Sequence, residues 1–210
     1  YNELGRDAEA VALAEQLQRK APEDKRSLLN LASLYAQTEQ TDKAAALLDS
    51  ARQKGMLTEQ RDYETLYAIY LNMDGKEAEA ARVIQEGLDK GILPADLKTY
   101  TFLAQSHYFS DKIDEAIVAY GKAAELDTSG ETSLALSQIL TNEDRNAEAI
   151  RAARAALAKG LKKPGEAWMV IARSEYYSDN FAAAQAAYRE AAKDPAVRDQ
   201  AQKALAQISR

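Results

Sequence analysis

Apolar positions recur along this chain with the beat of a helix. Six alanines, Ala10, Ala44, Ala80, Ala116, Ala149 and Ala184, stand at intervals of 34, 36, 36, 33 and 35 residues. Four residues after each comes Ala14, Leu48, Ile84, Tyr120, Ala153 or Tyr188, and three further on comes Leu17, Ala51, Gly87, Ala123, Ala156 or Ala191. Steps of four and then three return to one side of an α-helix, so each alanine opens a stripe that predicts burial. Twelve residues before five of the alanines stands a second small residue, preceded by a large apolar one: Leu31-Ala32, Tyr67-Ala68, Leu103-Ala104, Leu136-Ser137 and Ile171-Ala172. Two helices per period follow, meeting where small side chains let the backbones approach.

The 210 residues divide accordingly into a single elongated repeat domain. A half unit covers 1–24, full units cover 25–60, 61–96, 97–129, 130–164 and 165–195, and a last helix covers 196–210. Val197, Ala201, Leu205 and Ile208 trace one apolar stripe on that last helix, which suits the cap of an open repeat end. Tyr1 stands nine residues before Ala10, as Tyr35 stands nine before Ala44, so the sequence reads as an excerpt that starts in mid-unit. Three units end in Lys54-Gly55-Met56, Lys90-Gly91-Ile92 and Lys159-Gly160-Leu161. Glycine there predicts a left-handed helix end with the apolar residue folding back, a capping device and not a phosphate loop, since no strand precedes a helix here.

Composition narrows the chemistry. Without cysteine there are no disulfides and no thiolate metal sites, so helix packing alone must hold the core. Thirty-three acidic against 27 basic side chains give a net charge of -6, which opposes nucleic acid unless a basic stripe compensates. The densest basic spot, Lys159 to Lys163, reads as a helix end satisfying its dipole. No apolar run approaches the roughly 18 residues of a membrane span. The start lacks the basic-then-apolar order of a signal peptide, although an excerpt would not display one.

Catalytic candidates are few. His107 is the single histidine, with Ser106 beside it and Asp111 a turn later, but adjacent helical residues point apart and a triad does not assemble. Glu23-Asp24 and Glu143-Asp144 lack a calcium-loop pattern and read as helix-start and turn acids. The expectation is no catalytic residue, no metal and no cofactor.

The spacing resembles the tetratricopeptide repeat, whose period is near 34. In the fifth unit Trp168, Ile171-Ala172, Ala184, Tyr188 and Ala191 stand at the family's offsets, with Pro195 one residue early; Leu28, Leu31-Ala32, Tyr35, Ala44, Leu48 and Ala51 do the same in the first full unit. The resemblance implies an all-α, right-handed solenoid of helix hairpins whose first helices line a concave groove. The inward ridges are then Arg26, Leu29, Ser33 and Ala36; Asp62, Thr65, Ile69 and Asn72; Lys98, Thr101, Gln105 and Tyr108; Glu131, Leu134, Gln138 and Thr141; and Glu166, Met169, Arg173 and Tyr176. The basic, asparagine-rich clamp with which some members hold a terminal carboxylate is absent. Ser106-His107-Tyr108-Phe109-Ser110-Asp111 aligns with Ser174-Glu175-Tyr176-Tyr177-Ser178-Asp179, and both place an aromatic one residue later than the family does, which turns Tyr108 and Tyr176 toward the groove. A protein or peptide partner is therefore expected on Lys98, Thr101, Phe102, Gln105, Tyr108, Phe109, Met169, Arg173, Tyr176 and Tyr177, where large side chains concentrate.

Three runs narrow the resemblance: Leu29 to Gln37, Gln85 to Ile92, and Pro164-Gly165-Glu166-Ala167-Trp168. They are similar to tetratricopeptide proteins that accompany TonB and ExbB in Gram-negative bacteria, the TtpC type. That branch implies a periplasmic accessory factor for energised uptake of iron-siderophore complexes. The alternatives are a scaffold for envelope or cytochrome assembly, a cytosolic peptide-binding regulator, and an RNA-binding helical repeat, the last disfavoured by net charge.

Overall fold

The structure, a computed structural model, describes residues 2–208. Among the described residues there are twelve α-helices and no strand. In chain order they are α1 (Asn2–Lys20), α2 (Lys25–Gln37), α3 (Thr41–Gln53), α4 (Gln60–Leu71), α5 (Glu77–Asp89), α6 (Leu97–Phe109), α7 (Ile113–Leu126), α8 (Glu131–Asn142), α9 (Asn146–Ala158), α10 (Gly165–Tyr177), α11 (Phe181–Ala191) and α12 (Arg198–Ile208). The fold is the all-α helical repeat that the alanine period predicts. Tyr1, the proposed anchor of a preceding helix, lies outside the described residues.

The chain packs as two compact units. The first runs up to Ala95 and includes Gln105–Lys112; the second consists of Asp96–Ala104 and the chain from Ile113 onward. In the first, α2 packs on α1 and α3, α3 on α4, and α4 on α5; in the second, neighbours pair in sequence from α7 through α12. Ala44, Ala80, Ala116, Ala149 and Ala184 are completely buried, while Ala10 is half-buried. A methyl group is all that fits where two helix backbones converge, and this is why the alanine recurs when its large neighbours vary. The same stripe is open in α1, where Leu13 and Leu17 are exposed.

One predicted contact is out of register. Ala68 was expected at the close approach of α4, yet it is exposed, and Tyr63, Leu66, Tyr67 and Tyr70 form the buried stripe instead. The cause lies in the hairpin loop: residues 72–76 separate α4 from α5, whereas residues 38–40 suffice between α2 and α3. Counting back twelve residues from Ala80 therefore stops one residue short of the contact, and Tyr67 fills it where Ala32 does in α2.

Short loops close the other hairpins with a shared device. Glu39, Asp111, Asp144 and Asp179 adopt left-handed backbone, with φ of 58°, 61°, 56° and 60°. The next residue then donates its N–H to the carbonyl five positions back: Gln40 to Tyr35 at 2.8 Å, Lys112 to His107, Arg145 to Leu140 and Asn180 to Glu175, each at 2.9 Å. Aspartate tolerates this conformation better than most residues. At the ends of α3 and α5, glycine does the same work: Gly55 and Gly91 have positive φ, and Met56 and Ile92 donate to Ala51 and Gly87 at 2.9 and 2.8 Å. The residue that folds back differs from expectation there. Met56 and Ile92 are half-buried, and it is the following Leu57 and Leu93 that are buried; only after Gly160 does the adjacent Leu161 take that place. Leu93 explains Gly87 as well, because a Cβ at that position would lie 2.6 Å from its Cγ.

Polar groups tie successive repeats together where apolar contact ends. Arg52 of α3 pairs with Asp49 and with Glu86 of α5, and Glu86 also accepts from the Tyr63 hydroxyl at 2.9 Å and from Lys90 at 2.6 Å. In the second unit Leu134, Ala149, Ala153, Ala167, Val170, Ile171 and Ala201 share one core, against which Trp168 is half-buried. Lys159, which ends α9, donates to the Ala124 carbonyl near the end of α7 and so ties two helix ends together.

Candidate functional site

An open cavity of about 1140 Å³ lies in the first unit. Residues of α2 and α4 form its walls, and Thr41 and Leu48 of α3 complete the lining. All eight ridge positions expected for these two helices line it: Arg26, Leu29, Ser33 and Ala36 from α2, and Asp62, Thr65, Ile69 and Asn72 from α4. Arg61 and Ala68 line it as well, 35 residues after Arg26 and Ser33, although the sequence pattern places Ala68 at the helix contact. Small side chains along both ridges leave the space open, since Ala36, Ser33 and Ala68 carry little that could fill it.

The upper end of the cavity is built from helix N-termini. Asp24 caps α2, accepting from the Ser27 N–H at 3.1 Å and from the Ser27 hydroxyl. These hydrogen bonds, the hydroxyl's first, hold the Asp24 carboxyl below its ordinary value. Asp62 is buried and caps α4, accepting from the N–H groups of Thr58 and Glu59, both at 3.0 Å. Lys25 Nζ completes the arrangement, lying 2.7 Å from Asp62 and 3.0 Å from Glu59. Burial would lower the Lys25 pKa, but its hydrogen bonds to Asp62 and Glu59 outweigh that and raise it. One ammonium thus fastens the first turn of α2 to that of α4 and fixes the mouth of the groove.

The aromatic positions expected to bind a partner are distributed between the units. In the first, Gln105 and Tyr108 are half-buried, and Phe109 is 70% exposed with its ring edge-on to Tyr108 at 5.6 Å. In the second, Thr101 and Phe102 are half-buried, and the Thr101 hydroxyl is engaged with the Leu97 carbonyl at 2.7 Å; Lys98 and Arg173 are exposed. Met169 departs from expectation: it is only 9% exposed and packs in the core of the second unit with Leu134 and Val170, so it offers a partner little surface. Tyr176 and Tyr177 are 41% and 65% exposed and join Phe181, which the sequence reading passed over, in a set of edge-to-face rings with centroids 5.5 to 5.7 Å apart. The ridges of α8 and α10 do run side by side, with Gln138 donating to Glu166 at 3.2 Å.

The triad candidates differ in their surroundings. Ser106 is completely buried and Asp111 is exposed in its turn. Among the described residues no three His, Asp or Glu side chains gather as metal ligands, and no helix is long and apolar enough to cross a membrane.

Comparison with known proteins agrees with this geometry. Family models described as the tetratricopeptide repeat match residues 3–56 and 97–129. No curated protein sequence matches the chain. Among solved structures, YrrB, a TPR protein with an unusual peptide-binding site, is 18% identical; the match covers 93% of this chain and 98% of that one at a TM-score of 0.64. MamA is 15% identical over 82% of this chain and 92% of its own, with a TM-score of 0.60. A chain of the Naa15/Naa10 complex bound to HypK-THB is 15% identical over 99% of this chain and 32% of its own, at 0.78. At such identities the likeness is one of fold. Residues 3–56 and 97–129 are therefore tetratricopeptide repeats, set in a chain of all-α helical-repeat architecture.

Proposed function

We propose that this chain is a non-catalytic scaffold for protein interaction, and that the groove of its first unit holds a peptide segment of a partner. The observation that carries the proposal is the open cavity between α2 and α4, lined at successive ridge positions by small, polar, charged and apolar side chains. Such a surface suits an extended or helical segment, which needs length, alternating chemistry and a preformed trough more than a closed pocket. The fold shared with YrrB, a repeat protein that has a peptide-binding site, supports the same use here. The exposed rings of Tyr176, Tyr177 and Phe181 support a second contact surface in the other unit, since aromatic side chains give large contact area at small entropic cost.

The finer reading is that of an accessory factor to a TonB/ExbB energy-transduction system for iron-siderophore uptake, working in the periplasm. Its support is the likeness of the runs Leu29 to Gln37, Gln85 to Ile92 and Pro164 to Trp168 to the TtpC type. Titration with purified periplasmic regions of a TonB-type and an ExbB-type protein tests it. Micromolar association is expected, weakened about tenfold by Ser33→Trp, which fills the groove, or by Tyr176→Ala, with an unchanged melting temperature. Lack of association with either protein at high micromolar concentration rejects the TonB/ExbB reading and leaves the scaffold reading to other partners.

A further inference from the structure

The groove of the first unit carries charge that the fold does not use. Arg26 and Arg61 are the second residues of α2 and α4, stand 35 positions apart at corresponding places in successive repeats, and both are exposed along the cavity. Among the described residues neither guanidinium takes part in an ion pair or hydrogen bond, although the charge of Arg26 adds slightly to the lowering of the Asp24 pKa. The acids around them are engaged: Asp24 by Ser27, Asp62 by two backbone N–H groups and Lys25, and Glu59 by Lys25.

Helix stability does not account for these two arginines. A cation in the first turn faces the positive end of the helix dipole, which disfavours each helix. In a chain of net charge -6, two cations placed against their own helices beside an open trough are arranged for something else. A guanidinium whose donors are unspent presents a planar fork that matches a carboxylate.

Resting on the reading of this groove as a peptide site, we infer that its occupant is an acidic protein segment, whose internal Asp or Glu side chains are read by Arg26 and Arg61 while its apolar side chains lie over Leu29, Ala36 and Ile69. Phosphate backbones share the anionic chemistry, but the chain's overall negative charge repels a long polyanion and admits a short acidic peptide.

Selection from a library of random peptides of about 12 residues, displayed with no free carboxyl terminus, tests the inference. Binders of the unmodified chain should carry net negative charge. A synthetic copy of one should bind the double variant Arg26→Glu, Arg61→Glu at least about tenfold more weakly at low salt, with the variant's melting temperature preserved. Replacing the acids of that peptide by Gln or Asn should weaken binding to the unmodified chain and make no further difference on the variant. Neutral or basic binders, acidic binders indifferent to the charge reversal, or equal affinity for an oligothymidylate of similar length overturn the inference. Ser33→Trp separates the two levels of the argument. Binders sensitive to it but indifferent to the arginines keep the groove and remove its charge preference. Binders indifferent to both, or a library that yields none, remove both.

Discussion

Asp127 shows how much of this fold rests on single side chains. It precedes α8 and is buried, with one carboxylate oxygen accepting from the Ser129 N–H and the other from the Thr132 N–H, both at 2.8 Å. Burial by itself would raise the carboxyl, but these hydrogen bonds outweigh it and hold the pKa at about 2, against an ordinary 3.8. A carboxyl depressed in the folded state contributes stability that is fully present above its unfolded value and is lost as pH falls through the folded one. The contribution, about 2 kcal/mol, should therefore fade between roughly pH 4 and pH 2. Chemical denaturation at a series of acid pH values checks this: Asp127→Asn should be less stable than the unmodified chain at pH 6, and the gap should narrow below pH 3. A constant gap would show that the carboxylate charge is not what caps α8. At this scale the sequence was only partly legible. The Lys-Gly ends declared their left-handed turns, but whether Met56 or Leu57 folds back depends on the packing of the next helix, which local pattern does not encode.

Helices pair here because small residues recur where backbones converge, and that is the part of the structure most plainly written in the sequence. Ala172 of α10 is completely buried, as its position twelve residues before Ala184 predicts. Ala172→Leu should overpack the contact of α10 with α11 and cost about 1–3 kcal/mol. Thermal unfolding measures the loss, and an unchanged midpoint would mean that the two helices do not meet there. The reading failed at α4, where a longer loop displaced the register, and Tyr67 occupies the place assigned to Ala68. For the candidate site it gave most weight to other helices than those that line the cavity. Aromatic content drew attention to α6 and α10, yet a cavity is made by what is missing, and the alanines and serine of α2 and α4 carry no chemical signal of their own. Met169 erred in the other direction, because a large apolar side chain on a ridge can be covered by the neighbouring hairpin.

For the whole molecule, charge decides more than any motif. A net charge of -6 should leave the chain unable to hold single-stranded RNA, and electrophoretic mobility of a labelled oligouridylate should be unchanged by the protein even at 50 mM salt, where electrostatic binding is favoured. Retention of the oligouridylate that weakens as salt is raised would point to a basic surface that formal charge conceals. The loop between α4 and α5 matters at this scale too. Two residues longer than the connection between α2 and α3, it leaves α4 facing the same way as α2, for Tyr63, Leu66, Tyr67 and Tyr70 are buried 35 residues after Leu28, Leu31, Ala32 and Tyr35. The connection absorbs the added chain while the helix keeps one face toward the cavity, where Arg61 and Ala68 stand as Arg26 and Ser33 do. A repeat protein of this kind can lengthen a solvent-facing loop and keep its recognition surface, so that substitution along the exposed ridge is the route to new partners that leaves its buried alanines in place.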